Sequence, residues 1–430
     1  MPLVLSLDCT KMTRTAAALV QGVLNFETGL VFLGVVLNNM GSSRHARHVR
    51  DAIEGHTDLP VLGALPRLTE TPLPERHMGI ASFGSRLAED AEKRLAALAA
   101  FIGGHLDVAR IAADAARLTP EDDAPGAGAP ASLPAQIPSP DAPRPRLGFV
   151  RDAAFWFYYE DNLRALEDAG AELVPIALAT GDAGNDAASA AESLRTLEGL
   201  DGLYLGGGFP EDHARALSTS PALALLRALA EKGMPIYAEC GGFMLLARSL
   251  DLSGSRWPMA GLFPVDVRFT KRPQGLGYVE ACVMRENPYF PVGLRLRGHE
   301  FHYSRCVLPD EAPSSAPQDA SAPYFAMRLS RGTGMGRSAL RDEAPLSPRR
   351  HDAASGAALS QRQGCREEKT GAHGVDGLTR ARVWASYTHI FAPAVPCWAP
   401  NFIAAARAFA NEKKTNQVSG KTPETEKPKR

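Results

Sequence analysis

The sequence predicts an α/β protein built from two successive units. Short apolar runs that end in polar or glycine turns alternate with segments of helical periodicity, as buried parallel strands joined by helices do. A stretch rich in Pro, Ala, Gly and Asp, Leu118 to Pro145, separates two such alternations. In the second, an apolar run from Pro235 to Ala238 and another from Phe243 to Leu250 flank the sharp turn Glu239-Cys-Gly-Gly242.

In the first unit, residues 1–116, Leu3–Leu7 and Val31–Leu37 are short apolar runs that read as strands. Thr15–Leu24 and Ser43–Ile53 are helical between them, Val61–Leu65 is a further strand, and Ser85–Leu106 is a long amphipathic helix. Residues 117–146 have the composition of an extended, disordered linker. The second unit, 147–410, opens with the strand Leu147–Val150, a helix around Tyr159–Ala169, and the strands Glu172–Ile176 and Gly202–Leu205. From about 310 to 375 Pro, Ser, Ala, Arg and Gly dominate, which predicts a disordered insertion. Apolar character returns at Ala381–His389, and residues 411–430 form a polar, basic tail expected to be flexible.

Charge and cysteine content exclude several function classes. A net charge of −1 over 430 residues gives no global field for nucleic acid or an anionic membrane. No apolar run approaches the roughly 20 residues of a membrane span, and the first residues lack a signal-peptide pattern. The 6 cysteines are scattered without CxxC spacing, so neither a zinc site nor a disulfide framework is indicated. A reducing, cytoplasmic setting is expected, with no nucleic-acid or membrane partner.

The Cys240 turn carries the chemistry. A cysteine on a strand-to-helix elbow presents its sulfur above a helix N-terminus, where free N–H groups favour a thiolate and can hold an oxyanion. The flanking glycines let the backbone make the turn. A buried structural cysteine is the competing reading. Of the 11 histidines, His389 is the best partner: it follows the apolar strand Val383–Ala385 and meets Cys240 in space only. An incidental surface histidine is its alternative. Gly206-Gly-Gly-Phe-Pro210 ends another strand and offers Gly207 and Gly208, beside Gly241, as N–H donors to an oxyanion; by itself a glycine triplet is a turn signal.

Asp201–Glu211, Ala238–Phe243 and Ser386–His389 closely resemble the class I glutamine amidotransferase domain of the cobyrinate a,c-diamide synthase family. So do Asp152–Leu163, Gly275–Ala281 and Arg297–Ser304. Before the linker, Leu5–Asp8, Met12–Ala17, Gly34–Asn39, Gly41–His45 and Leu73–Gly79 resemble that family's synthetase domain, a P-loop fold of dethiobiotin-synthetase type. The resemblance implies that Cys240 is the glutaminase nucleophile and His389 its activating histidine, without the carboxylate that completes the triad in related amidotransferases. It places His299, Glu300, His302 and Tyr303 in the segment facing the acceptor domain, where substrate contact and an interface or folding role are equally open. Asn38 matches a position that reads an adenine edge, although Asn-Asn after a strand is also a plain turn signal.

The activity implied is ATP- and Mg²⁺-dependent, glutamine-hydrolysing amidation of the a and c acetate side chains of cobyrinate. Hydrogenobyrinate, nickel-sirohydrochlorin or another tetrapyrrole is an alternative acceptor, and a non-catalytic remnant or subunit is an alternative of another class. Two departures stand out. No G-x-x-x-x-G-K-[ST] phosphate loop occurs, and Met1 falls on what resembles an internal strand, so about the first hundred residues of the family pattern are absent. Phe391 stands where the family repeats a histidine. A separately encoded N-terminal segment or a homo-oligomer is the expected partner.

Overall fold

The computed structural model describes residues 2–26, 29–68, 88–118, 144–179, 187–307, 322–336 and 374–419. The chain divides into two compact units, Met1–Gly128 and Ala129–Arg430. Both are α/β, as the alternation of runs and helical segments requires.

In the first unit the strands Leu3–Asp8, Phe32–Met40 and Val61–Pro66 pair in parallel, in that order. The helices Thr15–Phe26 and Ser43–His56 make the crossovers, the second capped by Ser42, whose hydroxyl accepts the His45 N–H at 3.1 Å. Leu7, Val20, Val35, Leu37, Val49 and Ile53 form the core on one face. The helix expected over Ser85–Leu106 is described from Ala88 and stops at Gly103. The Gly103-Gly104 pair ends it, and a second helix, Val108–Leu118, follows.

The second unit is organised by a ten-stranded sheet. Its order is His389–Ile390, Arg295–His302, Gly275–Val283, Tyr324–Arg331, Gly374–Arg380, Val383–Ser386, Ile236–Glu239, Gly202–Leu205, Arg146–Val150 and Glu172–Ile176. The last five pair in parallel and the others antiparallel. Strand alternation splits the core between the two faces: Leu203, Leu205, Ile236 and Ala238 on one, Tyr204, Tyr237 and Trp384 on the other.

Three expectations are corrected. The disordered insertion at 310–375 is interrupted by Tyr324–Arg331, a strand inside the sheet with Ala326, Met327 and Leu329 buried and Arg328, Ser330 and Arg331 exposed. Residues 308–321 and 337–373 of that stretch lie outside the described residues, as do 119–143 of the linker. The tail expected to be flexible from 411 is helical to Ser419, in a helix beginning at Trp398. Glu412 is paired with Arg382 at 2.6 Å, and Lys413 donates to Asp201 and to the Leu200 carbonyl, both at 3.0 Å. Residues 420–430 lie outside the description. The helix after Cys240 covers Gly241–Leu246, and Ser249–Leu252 is a strand. An apolar run buried all round carries no period to separate the two.

Candidate active site

Two neighbouring parallel strands build the site. Ser386 lies opposite Glu239, so Val383–Ser386 and Ile236–Glu239 end side by side, and the Cys240 N–H donates to the Ser386 carbonyl at 2.7 Å. The strand Ile236–Glu239 turns sharply into Cys240, and Val383–Ser386 runs on through Tyr387 and Thr388 to His389. Cys240 has φ +49° and ψ −100°, a left-handed conformation that costs a non-glycine residue about 1–3 kcal/mol. The surrounding structure holds it there: Gly242 N–H donates to the Gly206 carbonyl at 3.0 Å, and any Cβ on Gly242 would fall 2.4 Å from the Leu205 carbonyl oxygen.

His389 is 5% exposed, Glu239 Oε2 lies 3.4 Å from its Nδ1, and Cys240 is near enough to act on its charge. Burial lowers the imidazole's pKa, but its neighbours Cys240 and Glu239 outweigh it and raise the pKa to about 10. The His389 ring is cradled between Phe157, edge-on at 5.2 Å, and His299, stacked at 5.0 Å with 19° between planes. That stack follows from sheet register, because His299 and His389 are directly opposed across the strand pair. Burial, and then the charge of His389, hold His299 down at about 4, so it is neutral at pH 7. Its Nδ1 is 3.2 Å from the Tyr159 hydroxyl.

The loop carrying His389 is pinned by Asp376. This carboxylate accepts the Tyr387 and Thr388 N–H groups at 3.1 and 3.0 Å and the Thr388 hydroxyl at 2.7 Å. Complete burial lifts Asp376 to about 6 despite those bonds.

The three glycines named as oxyanion donors meet at this point. A Cβ on Gly241 would stand 3.0 Å from the Gly208 nitrogen, and one on Gly207 only 2.8 Å from His389 Cε1. Gly206 is otherwise engaged, its N–H donating to the Tyr158 hydroxyl at 2.9 Å. The segment 299–303 divides. His299 joins the site and the Phe301 carbonyl faces the Cys240 sulfur at 3.8 Å. Glu300 and His302 turn into the core: Glu300 accepts the Thr333 and Gly334 N–H groups, and His302 stacks on Tyr387 at 3.7 Å. Tyr303 packs edge-on against Phe301 at 5.7 Å.

Glu239 is the site residue the sequence reading missed. It is 2% exposed in a strand whose four residues are all buried. A carboxylate in such a strand must be bonded, and that was the available signal.

In the first unit, Asn38 lies in the strand Phe32–Met40, opposite Asp8. Its Oδ1 accepts the Asn39 N–H at 2.9 Å, and the Asn39 side chain donates to Asp8 at 3.1 Å. Among the described residues no set of three His, Cys, Asp or Glu is grouped to hold a metal, and no helix is long and apolar enough to cross a membrane.

Residues 146–320 match the CobB/CobQ-like glutamine amidotransferase domain. A cobyrinate a,c-diamide synthase of Magnetococcus marinus is 33% identical over 403 residues, 93% of this chain and 72% of that protein. The chain belongs to the cobyrinate a,c-diamide synthase family. Cobyrinate a,c-diamide synthases of Dehalococcoides mccartyi and Caldanaerobacter subterraneus are 38% and 36% identical over 73% and 71% of this chain. Of those two family members the chain spans 64% and 62% of the length. Among solved structures, PurLQS from Thermotoga maritima is similar at 15% identity with a TM-score of 0.36, over 63% of this chain and 100% of that one.

Proposed function

We propose that this chain hydrolyses glutamine and supplies the ammonia for amidating the a and c acetate side chains of cobyrinate. The observation that carries the reading is the meeting of two neighbouring strand ends, which brings Cys240, in a left-handed elbow, together with the buried His389. Cys240 Sγ attacks the side-chain amide carbon of glutamine, and the proton held by His389 passes to the departing ammonia. The oxyanion develops between the Gly241 and Gly208 backbones, where N–H donors stabilise charge without reorganising. His389 then takes a proton from water as it attacks the glutamyl thioester, releasing glutamate.

ATP and Mg²⁺ are the co-reactants family membership calls for, but the sequence given carries no G-x-x-x-x-G-K-[ST] loop to hold the phosphates. Asn38 Oδ1 already accepts the Asn39 N–H, and among the described residues no three His, Cys, Asp or Glu are grouped to hold a metal. No step is therefore assigned to ATP or Mg²⁺ on this chain.

The test is glutamate release by the purified chain and by Cys240→Ala. Release should fall at least about 10³-fold in the variant. Equal release from both proteins refutes the reading.

A further inference from the structure

Glu239 lies one residue before the nucleophile, yet its side chain points at the histidine. Oε2 lies 3.4 Å from His389 Nδ1, and Oε1 accepts the Ile390 N–H at 3.2 Å, so one carboxylate engages both the ring and the backbone of the His389 strand. The carboxylate is itself held: the Tyr204 hydroxyl donates to Oε2 at 3.0 Å, and Asn162 Nδ2 donates to the Tyr204 oxygen at 3.4 Å. Asn162 also grips the chain just past His389, donating to the Ile390 carbonyl at 3.0 Å and accepting the Ala392 N–H at 2.7 Å. Asn162, Tyr204 and Glu239 are each no more than 2% exposed, so these bonds act in a low-dielectric interior.

We propose that Glu239 is the positioning carboxylate of this site, with Tyr204 and Asn162 as its supports. An acceptor at Nδ1 keeps a proton on that nitrogen and turns Nε2, the atom able to exchange a proton, toward Cys240. The triad's third member thus comes from the nucleophile's own strand. The idea rests on the glutaminase reading above. A carboxylate serving only to join two strands would need neither its charge nor its place beside Nδ1. The titratable groups facing Glu239 are His389, His299 and Tyr158, Tyr159, Tyr204 and Tyr237. Burial raises all four tyrosines and lowers His299, leaving His389 as the group whose charge answers Glu239.

Two measurements on the full chain test this. Glutamate release gives kcat and KM, and alkylation of Cys240 by iodoacetamide, followed by peptide mass spectrometry against pH, needs no turnover. Glu239→Gln keeps the shape and an acceptor for Ile390 but removes the charge. It should lower kcat about 10²-fold with KM little changed, and shift the alkylation midpoint to higher pH. Tyr204→Phe should do the same more weakly, about 3- to 10-fold in kcat, in line with the loss of one supporting bond. A folded Glu239→Gln protein with wild-type kcat and an unmoved alkylation midpoint overturns the proposal. If Glu239→Gln does not fold, Tyr204→Phe decides by the same two criteria. Wild-type protein that releases no glutamate refutes the glutaminase reading, while the alkylation midpoints still decide the role of Glu239.

Discussion

Both units place the end of one parallel strand against its neighbour, Asp8 against Asn38 in one and Glu239 against Ser386 in the other. In the first unit Asp8 leads into an exposed polar turn at Thr10, while the partner strand runs two residues past Asn38 to Met40. Asp8 Oδ1 takes the Thr10 N–H at 2.9 Å and its hydroxyl at 2.6 Å, and the bonds stay between the strand ends. In the second unit the ends lead into a set in which Cys240, His389, Glu239 and Tyr204 are no more than 6% exposed, with Glu239 bonded to both His389 and Tyr204. The same sheet geometry therefore gives two outcomes. Adjacent strand ends bring side chains together, but burial is what makes a carboxylate or an imidazole act strongly on its neighbour.

If the chemistry is confined to the second unit, the sharpest contrast is between His389 and Asn38. His389→Asn should cut glutamate release about 10³-fold or more by removing the proton carrier. Asn38→Ala should leave it unchanged, because its bond is to the adjacent Asn39 N–H. Steady-state glutaminase assays of the two variants check this, and a tenfold loss in Asn38→Ala would break the contrast.

Gly207→Ala comes next. Its Cβ would lie 2.8 Å from His389 Cε1, with Phe157 closing the other side at 3.3 Å, so the imidazole must move off Cys240. A displacement of that size should cost about 10²-fold in kcat. Circular dichroism should show the fold intact, and full activity would mean the ring has room the geometry denies.

What was legible in the sequence follows the same division. The strands Glu172–Ile176 and Gly202–Leu205 stand where they were read, because each is a short apolar run closed by a turn. Cys240 and His389 were legible because the elbow and the following strand are local patterns. Glu239 was not, since its partners Tyr204 and His389 are 35 and 150 residues away. Tyr324–Arg331 was lost in a Pro- and Ser-rich neighbourhood, although its three buried residues are enough to seat it between two sheet strands. The last turns of the C-terminal helix depend on Arg382 and Asp201, which no window around Glu412 and Lys413 contains.

The pH dependence of stability offers a smaller test. His299 has its pKa lowered to about 4 in the folded chain, against 6.5 when unperturbed. Between those values the unfolded chain binds a proton that the folded chain refuses. Stability present above pH 6.5 is therefore lost as pH falls toward 4. Discounting for partial exposure, the loss is about 1–2 kcal/mol. Asp376, raised to about 6 from 3.8, contributes the opposite slope over much of that range. The informative quantity is thus the difference between wild type and His299→Phe, and urea unfolding from pH 7 to pH 4 should give the variant the smaller loss. Equal losses in both would mean His299 is not shielded by the site.

The smallest effect tests the comparison from the side of the first unit. Gly22 is exposed in the helix Thr15–Phe26, its φ is unremarkable for an L residue, and a Cβ there would meet nothing within 4 Å. Nothing in this geometry requires glycine, so its effect is the entropic one of a flexible residue held in a helix. Gly22→Ala should stabilise the helix by about 0.5–1 kcal/mol, slowing hydrogen exchange of its protected amides by about 2- to 5-fold where exchange proceeds by opening of that unit. Glutamate release should not change. The same substitution at Gly207 displaces a reacting group, so the pair isolates what the glycines of the second unit are for. Faster exchange in Gly22→Ala would show that this position, too, is held by a contact and that the first unit is more tightly constrained than its exposed turn suggests.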